Sequence, residues 1–421
     1  MLSKAKLRII CDVRSRLSVS ASLIMSVPSL ADYGVSESRG FVPDDDPPLC
    51  LPSYFSRWDE LAASIPSLLQ GESSTLKELV SSLPLLDHTK LDEPRYVRRA
   101  HLLLTTIAHA YVWCSGDSGV SKVLPRNVAI PWVGVSDTLG LPPIITHCDF
   151  VLNNWTKIDP EGPLELDNLK TIVSVSGCGR DEEWFWLLTT QVELCAAPGI
   201  KAIIEGQRAV LADDWNCLAK RLITIEKSVC SMTSTLPRMY EHCDRHRFFN
   251  DMRPFIAGWK HSKVLPDGLV YEGVWKEPKQ FAGSSAGQSS AVACFDEALG
   301  FNFEPEDGNK EQMISWEFIR ELRDYMPREH RDFLTAVKNG PSIREYVKAS
   351  DQIELKQLYN ACVNAVLKFR SEHIKLVTSY IIIPSTQSKG DHKSLDDQGT
   401  GGTAIMPFLK FIRNRIQQHL L

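Results

Sequence analysis

Along most of the chain apolar residues recur every three or four positions, the period of a helix with one buried face. Trp58, Leu61, Ile65 and Leu68 make one such stripe, and HLLLTTIAHAYVW at 101–113 makes a second that is more fully apolar. LPPIITHCDFVLNNW at 141–155 follows a proline pair and is apolar on more than one side, so it is expected to line an interior. DEEWFWLLTTQVELCAA at 181–197 reads as a long helix. Its first-turn acids suit the macrodipole, Phe185, Leu188, Val192 and Cys195 share a face, and Pro198–Gly199 is expected to end it. Leu218, Leu222, Ile225, Val229, Met232 and Leu236 form a further stripe ending at Pro237, and Ser342 with Glu345 has the spacing of a capping box. Alternating β patterns are scarce and no repeat is present, so the expected fold is all-α.

Two stretches depart from this pattern. FRSEHIKLVTSYIIIP at 369–384 carries His373 on the apolar stripe of Val366, Phe369, Val377 and Tyr380. The residues alone leave two readings open: a core histidine satisfied by a backbone carbonyl, or a metal or haem ligand in a dry cavity. STQSKGDHKSLDDQGTGGT at 385–403 is polar, rich in Gly and Ser, and lies between two apolar helices. A loop of this length in a compact domain is disordered or a lid, and its glycine-rich end favours a lid.

Composition narrows the function classes. The 421 residues are 43% hydrophobic and 24% charged, ordinary globular usage, and the length suggests two or three domains. A net charge of −5 has no basic footprint for nucleic acid or an anionic membrane, so neither partner is expected. The 11 cysteines show no CxxC and no paired short spacings, which suits reduced thiols in an intracellular, cytoplasmic protein. No uninterrupted apolar run approaches the roughly 18–20 residues that span a bilayer. Residues 1–25 hold five Lys or Arg against one Asp, which reads either as an organelle leader or as a gene-model extension ahead of Met25.

Several chemistries have no motif here: HExxH, CxxCH, a Rossmann GxGxxG after a strand, and GxSxG. FAGSSAGQSS at 281–290 is no phosphate loop, because Gln288 stands where the nucleotide-binding lysine belongs. His242 and His246 have metal-clamp spacing, but the charged residues around them mark a hydrated surface. His101 and His109, two turns apart in apolar surroundings, are expected in the core. Arg370 projects from nearly the same face as His373, one turn away. In FFNDMRPFIAGW, Phe248 and Arg253 lie five residues apart, and a helix start at Pro254 would let both enter one pocket suited to an aromatic amino acid.

Taken in order, AGWK at 257–260, DGLVYEGVW at 267–275, FAGSSAGQSS at 281–290, YMPREHRDFL at 325–334, RSEHIKLVTSYIIIP at 370–384 and GTGGT at 399–403 resemble the indoleamine 2,3-dioxygenase family, in a form like that of fungal haem tryptophan dioxygenases. The similarity runs from about Pro28 to the C-terminus. It implies a small N-terminal helical domain, 28–176, packed on a large haem-binding domain, 177–421, with 385–403 a mobile lid. It also implies haem b, ferrous for activity, and cleavage of the indole C2–C3 bond of L-tryptophan or a related indole by O2. The product is N-formylkynurenine, at the head of the kynurenine route to NAD, with an electron donor keeping the iron reduced and a monomer expected.

By the same resemblance His373 is the proximal iron ligand, Arg370 binds a haem propionate, and Asp296 supports the proximal side. Phe185, Phe248 and Arg253 match the substrate-binding aromatics and the carboxylate-binding arginine. Ser285 and Ala286 pass close to the distal haem face, and Thr400 and Gly401 belong to the closing loop. Thr189 stands where serine is common. His147 and Phe150 replace the tyrosine and cysteine typical of the floor of the indole pocket, where the larger Phe150 is expected to narrow the space.

Overall fold

A computed structural model describes residues 26–386 and 405–421. The leader, nearly all of the 385–403 loop, and with it Thr400 and Gly401, lie outside the described residues.

In the first part of the chain, helices α1 (Ser56–Leu68), α2 (Ser73–Ser81) and α4 (Arg126–Leu139) pack around α3 (Pro94–Trp113). That central place is why α3 is apolar on nearly every side. Its two histidines are core residues, as expected. His101 bridges Asp149 Oδ1 at 2.5 Å and Ser136 Oγ at 3.0 Å. His109 pairs its Nδ1 with the Phe255 carbonyl at 2.9 Å and accepts the Ile145 N–H at 3.1 Å.

The later part is built on a helical hairpin, α5 (Arg180–Leu211) and α6 (Trp215–Thr235). Behind it come α7 (Ser290–Ala298), α8 (Lys310–Arg323), α9 (Arg328–Asn339), α10 (Ile343–Ala349), α11 (Ile353–Val377) and α12 (Ile405–Gln417). Helix α11 lies against α6 and α12. Ser342 caps α10, its Oγ accepting the Glu345 N–H at 3.2 Å.

Helix α5 does not stop at Pro198–Gly199, where the sequence suggests a break. The Ser228 hydroxyl of α6 enters the ladder, accepting the Gly199 N–H at 3.2 Å and donating to the Cys195 carbonyl at 2.6 Å. It bridges the gap that the proline opens in the i→i−4 bonding. Glycine is required at 199, because a Cβ there would meet Phe295 Cζ and Ser228 Oγ at 2.7 Å. As a continuous rod α5 is long and apolar enough to cross a membrane, a property that the shorter reading of it concealed. Two-thirds of its most apolar window, 67%, is buried inside the protein, so packing explains the composition.

Strand content is slight. Strands β1 (Val123–Leu124) and β4 (Val270–Tyr271) pair in parallel, and β2 (Thr156–Lys157) pairs antiparallel with β3 (Leu169–Lys170). The β1–β4 pair joins the first part of the chain to the segment after the α5–α6 hairpin. The Tyr271 hydroxyl adds to that junction, donating to the Pro143 carbonyl at 2.6 Å and accepting from Trp259 Nε1 at 2.9 Å. One contiguous apolar core runs from Leu30 to Ile416 through both parts.

Candidate functional site

Three π-turns shape the interior: Cys148–Leu152, Phe248–Met252 and Thr378–Ile382. Such turns widen a helix and are frequent at functional sites. All three border one cavity, to which they contribute Val151, Phe248, Tyr380 and Ile381. Its cavity volume is about 240 Å³, just under the roughly 300–1,000 Å³ of clefts for single small ligands.

One wall is the stripe of α5 at three- and four-residue spacing: Phe185, Leu188, Thr189, Val192 and Glu193. The first-turn acids hold this stripe by tertiary contacts. Asp181 pairs with Arg247 at 2.6 Å and accepts the Asp244 N–H at 2.6 Å, and Glu182 accepts the N–H groups of Val175 and Ser176 at 2.7 and 3.1 Å. Because Arg247 adjoins Phe248, this clamp sets Phe185 against Phe248, ring centroids 4.9 Å apart, and Tyr380 meets Phe248 edge-on at 5.6 Å.

A second wall is Ser284, Ser285, Ala286 and Gly287. Its course follows from two backbones in close approach: Phe281 O accepts from both Trp259 N and Lys260 N at 2.9 Å, and Ser284 N donates to Ile256 O at 3.2 Å. Only glycine fits at 258, since a Cβ would lie 2.2 Å from Gly283 N. The AGWK and FAGSS blocks, distant in sequence, are thus one structural unit. Ser285 Oγ accepts the Gly287 N–H at 3.2 Å, which leaves its own proton free to donate.

His373 projects from α11 into the cavity with Phe369, Arg370, Leu376 and Val377. Its imidazole makes no hydrogen bond to the described residues. Desolvation first, then the charge of Arg370, lowers its pKa to about 4, so the ring is neutral at pH 7 with a lone pair to offer. The other histidine of the cavity, His147, has its Nε2 committed to Glu193 Oε1 at 2.9 Å. Arg370 Nη2 pairs with Asp296 Oδ2 at 2.6 Å, so protein already balances the buried cation. Asp296 stands behind Arg370 and is not among the described wall residues; burial pushes its carboxyl up, and Arg370 opposes that. Arg370 Nε and Asp296 Oδ1 are buried with no hydrogen-bond partner among the described residues.

These features fit haem. Among the described residues no group of three or more His, Cys, Asp or Glu is placed to hold a bare metal ion. A single neutral imidazole beside a cation in an oily cavity makes an iron site only if a macrocycle supplies the in-plane nitrogens.

Other candidates fall elsewhere. Phe150 is wholly buried and packs on Trp186, centroids 4.9 Å apart, behind the wall instead of on it. Cavity width at that end is set by Trp186, Val151 and His147. The reason is the π-turn, which begins at Cys148 and turns the residue after Asp149 inward. Arg253 opens the 3₁₀ turn Arg253–Ile256, yet it is wholly buried with its guanidinium 5.0 Å over the Phe249 ring and is not among the described wall residues. Phe248 lines the described wall, whereas Arg253 packs against the neighbouring Phe249. Glu193 is the site residue that the sequence reading passed over. Its signal was its place four residues after Thr189, on the stripe that begins at Phe185.

The family model for indoleamine 2,3-dioxygenase matches residues 29–419. The chain is 40% identical over 401 residues to indoleamine 2,3-dioxygenase 2 of Homo sapiens, covering 93% of this chain and 96% of that one. It is 34% identical over 417 residues to 6-hydroxytryptophan 2,3-dioxygenase of Fusarium equiseti, covering 93% and 98%. It is also 34% identical over 397 residues to a protein named myoglobin from Haliotis madaka, covering 92% and 99%. With an all-α fold, a lone axial-type histidine and near full-length similarity in agreement, the chain belongs to the indoleamine 2,3-dioxygenase family.

Proposed function

We propose that the protein is a haem-dependent dioxygenase that cleaves the indole C2–C3 bond of L-tryptophan with O2 to give N-formylkynurenine, opening the kynurenine route to NAD. The observation that carries this reading is the neutral His373, without a hydrogen-bond partner among the described residues and facing an aromatic-walled cavity. Haem b, when bound, supplies the ferrous iron for dioxygen chemistry on the indole double bond.

His373 would hold the iron, and Arg370, positioned by Asp296, would meet a propionate on its free edge. Phe185 and Phe248, packed on each other, present one aromatic wall against which the indole would lie, so the reacting carbons are held in one orientation. Leu188, Val192 and Ile256 exclude water from it. Ser285, with Ala286 beside it, offers a hydroxyl proton near the substrate, whereas Thr189 donates its own to the Phe185 carbonyl at 2.8 Å and serves chiefly as wall. Arg253 and the closing residues Thr400 and Gly401 complete the reading as partners of the amino acid portion. An electron donor that keeps the iron ferrous, a monomer and a cytoplasmic location belong to the same reading. The free thiols of all ten described cysteines support a reducing compartment.

The test is turnover: ferrous, haem-loaded protein with O2 and L-tryptophan should accumulate N-formylkynurenine, identified by absorbance and mass. Absence of product with every indole supplied overturns the reading. A second reading, O2 binding without turnover, is favoured by the similarity to the Haliotis protein. It predicts a reversible O2 spectrum that tryptophan leaves unchanged.

A further inference from the structure

We infer that His147, held by Glu193, which Ser289 in turn holds, makes the floor of the cavity selective for an indole bearing a hydroxyl group on its benzene ring. This inference rests on the dioxygenase reading above.

Around His147 the cavity wall is apolar: Val151, Trp186, Leu188 and Val192. The other polar side chains nearby are already engaged. Thr189 Oγ1 bonds its own helix at 2.8 Å, and Ser289 Oγ donates to Glu193 Oε1 at 2.5 Å. His147 is fixed from two sides, its backbone N–H donating to Gln288 Oε1 at 3.0 Å and its Nε2 meeting Glu193 Oε1 at 2.9 Å. The pair occupies Nε2, so the hydrogen-bonding capacity left on the ring is at Nδ1. Nδ1 makes no hydrogen bond to the described residues, on a ring that forms part of the cavity wall.

An unsubstituted benzene ring pressed against that nitrogen displaces water and returns only C–H, leaving a desolvated polar nitrogen without a partner. A ring hydroxyl, which can both donate and accept, restores the bond. The difference is asymmetric in the way that lets polar sites discriminate strongly: failing to satisfy a buried polar group costs more than a satisfied one gains. Glu193 acts through His147 as a positioning residue. It holds the ring's orientation, and its Oε2 is buried with no hydrogen-bond partner among the described residues.

The experiment compares L-tryptophan with its 5-hydroxy and 6-hydroxy derivatives in the haem-loaded protein. It measures kcat, KM and, by spectral titration, Kd. Wild type should bind at least one hydroxylated indole more tightly than L-tryptophan. In His147→Phe, which keeps the ring volume, the ratio of kcat/KM for that substrate over L-tryptophan should fall about tenfold, through KM more than kcat. His147→Gln, which retains an acceptor, should keep part of the preference, and Glu193→Gln should weaken it with haem content unchanged. Tighter binding of L-tryptophan than of either hydroxylated derivative by wild type overturns the inference. So does an unchanged ratio in His147→Phe or, if that variant fails to fold, in His147→Gln. Either outcome in a protein that still cleaves indoles leaves the dioxygenase reading standing, whereas loss of all turnover in wild type removes that reading first.

Discussion

At the scale of single residues, environment decides what a side chain can do. His101, His109 and His373 all lie on apolar helical stripes, yet among the described residues the first two are bonded at both ring nitrogens and the third at neither. His373→Ala should therefore yield folded protein that purifies without a Soret band. Normal haem content in that variant would remove the axial assignment. Arg253 invites a different expectation from the one its sequence context suggests. Because it is wholly buried over Phe249 and off the described cavity wall, Arg253→Ala should lower stability by about 3 kcal/mol as well as slow turnover. Denaturant midpoints measured beside KM check this; an unchanged midpoint with a raised KM would restore a purely substrate-binding role.

At the scale of elements, the site depends on a few backbone arrangements that depart from regular helix. Helix α5 presents Phe185, Thr189 and Glu193 on one line because its N-terminus is clamped through Asp181 and Glu182, and it continues beyond Pro198 because Ser228 carries its hydrogen bonding. Ser228→Ala leaves the Gly199 N–H and the Cys195 carbonyl without this partner in a buried place. The expected loss is about 1–3 kcal/mol, measured as a shift of the urea midpoint. An unchanged midpoint would mean that the ladder closes without the serine. The periodicity of α5 was legible in the sequence, but the rescue of its proline was not, since Ser228 lies thirty residues on in another helix. The π-turn at 148–152 was hidden for a similar reason. A regular helical wheel puts Phe150 near His147, and the wider turn sends it behind Trp186.

For the molecule as a whole, the first part of the chain and the hairpin-based part share one core, and His109 is one of the pins between them. Burial lowers its pKa from 6.5 to about 3 although the Phe255 carbonyl favours the charged form. Between those values the unfolded chain binds the proton and the folded one does not. The stabilisation is therefore complete above about pH 6.5 and is lost progressively as the pH falls towards 3, by about 1.4 kcal/mol per pH unit for this group. Urea midpoints at pH 7, 6 and 5 should show the decline. His109→Leu, less stable at pH 7, should show a shallower one; equal slopes would exclude His109 as a source.

Composition and periodicity alone determined that the chain is helical, which faces of its helices are apolar, and that His373 with Arg370 occupies a buried stripe. These are local properties, set by spacing along one helix. The ordered blocks that resemble the indoleamine 2,3-dioxygenase family determined which chemistry to expect. Only the tertiary structure decided that His373 is left without a partner among the described residues while His147 is bonded to Glu193, that Asp296 pairs with Arg370, and that Phe150 and Arg253 lie off the described wall. Partnership and exposure depend on residues far apart in the chain that meet only after folding, and helical spacing carries no information about them.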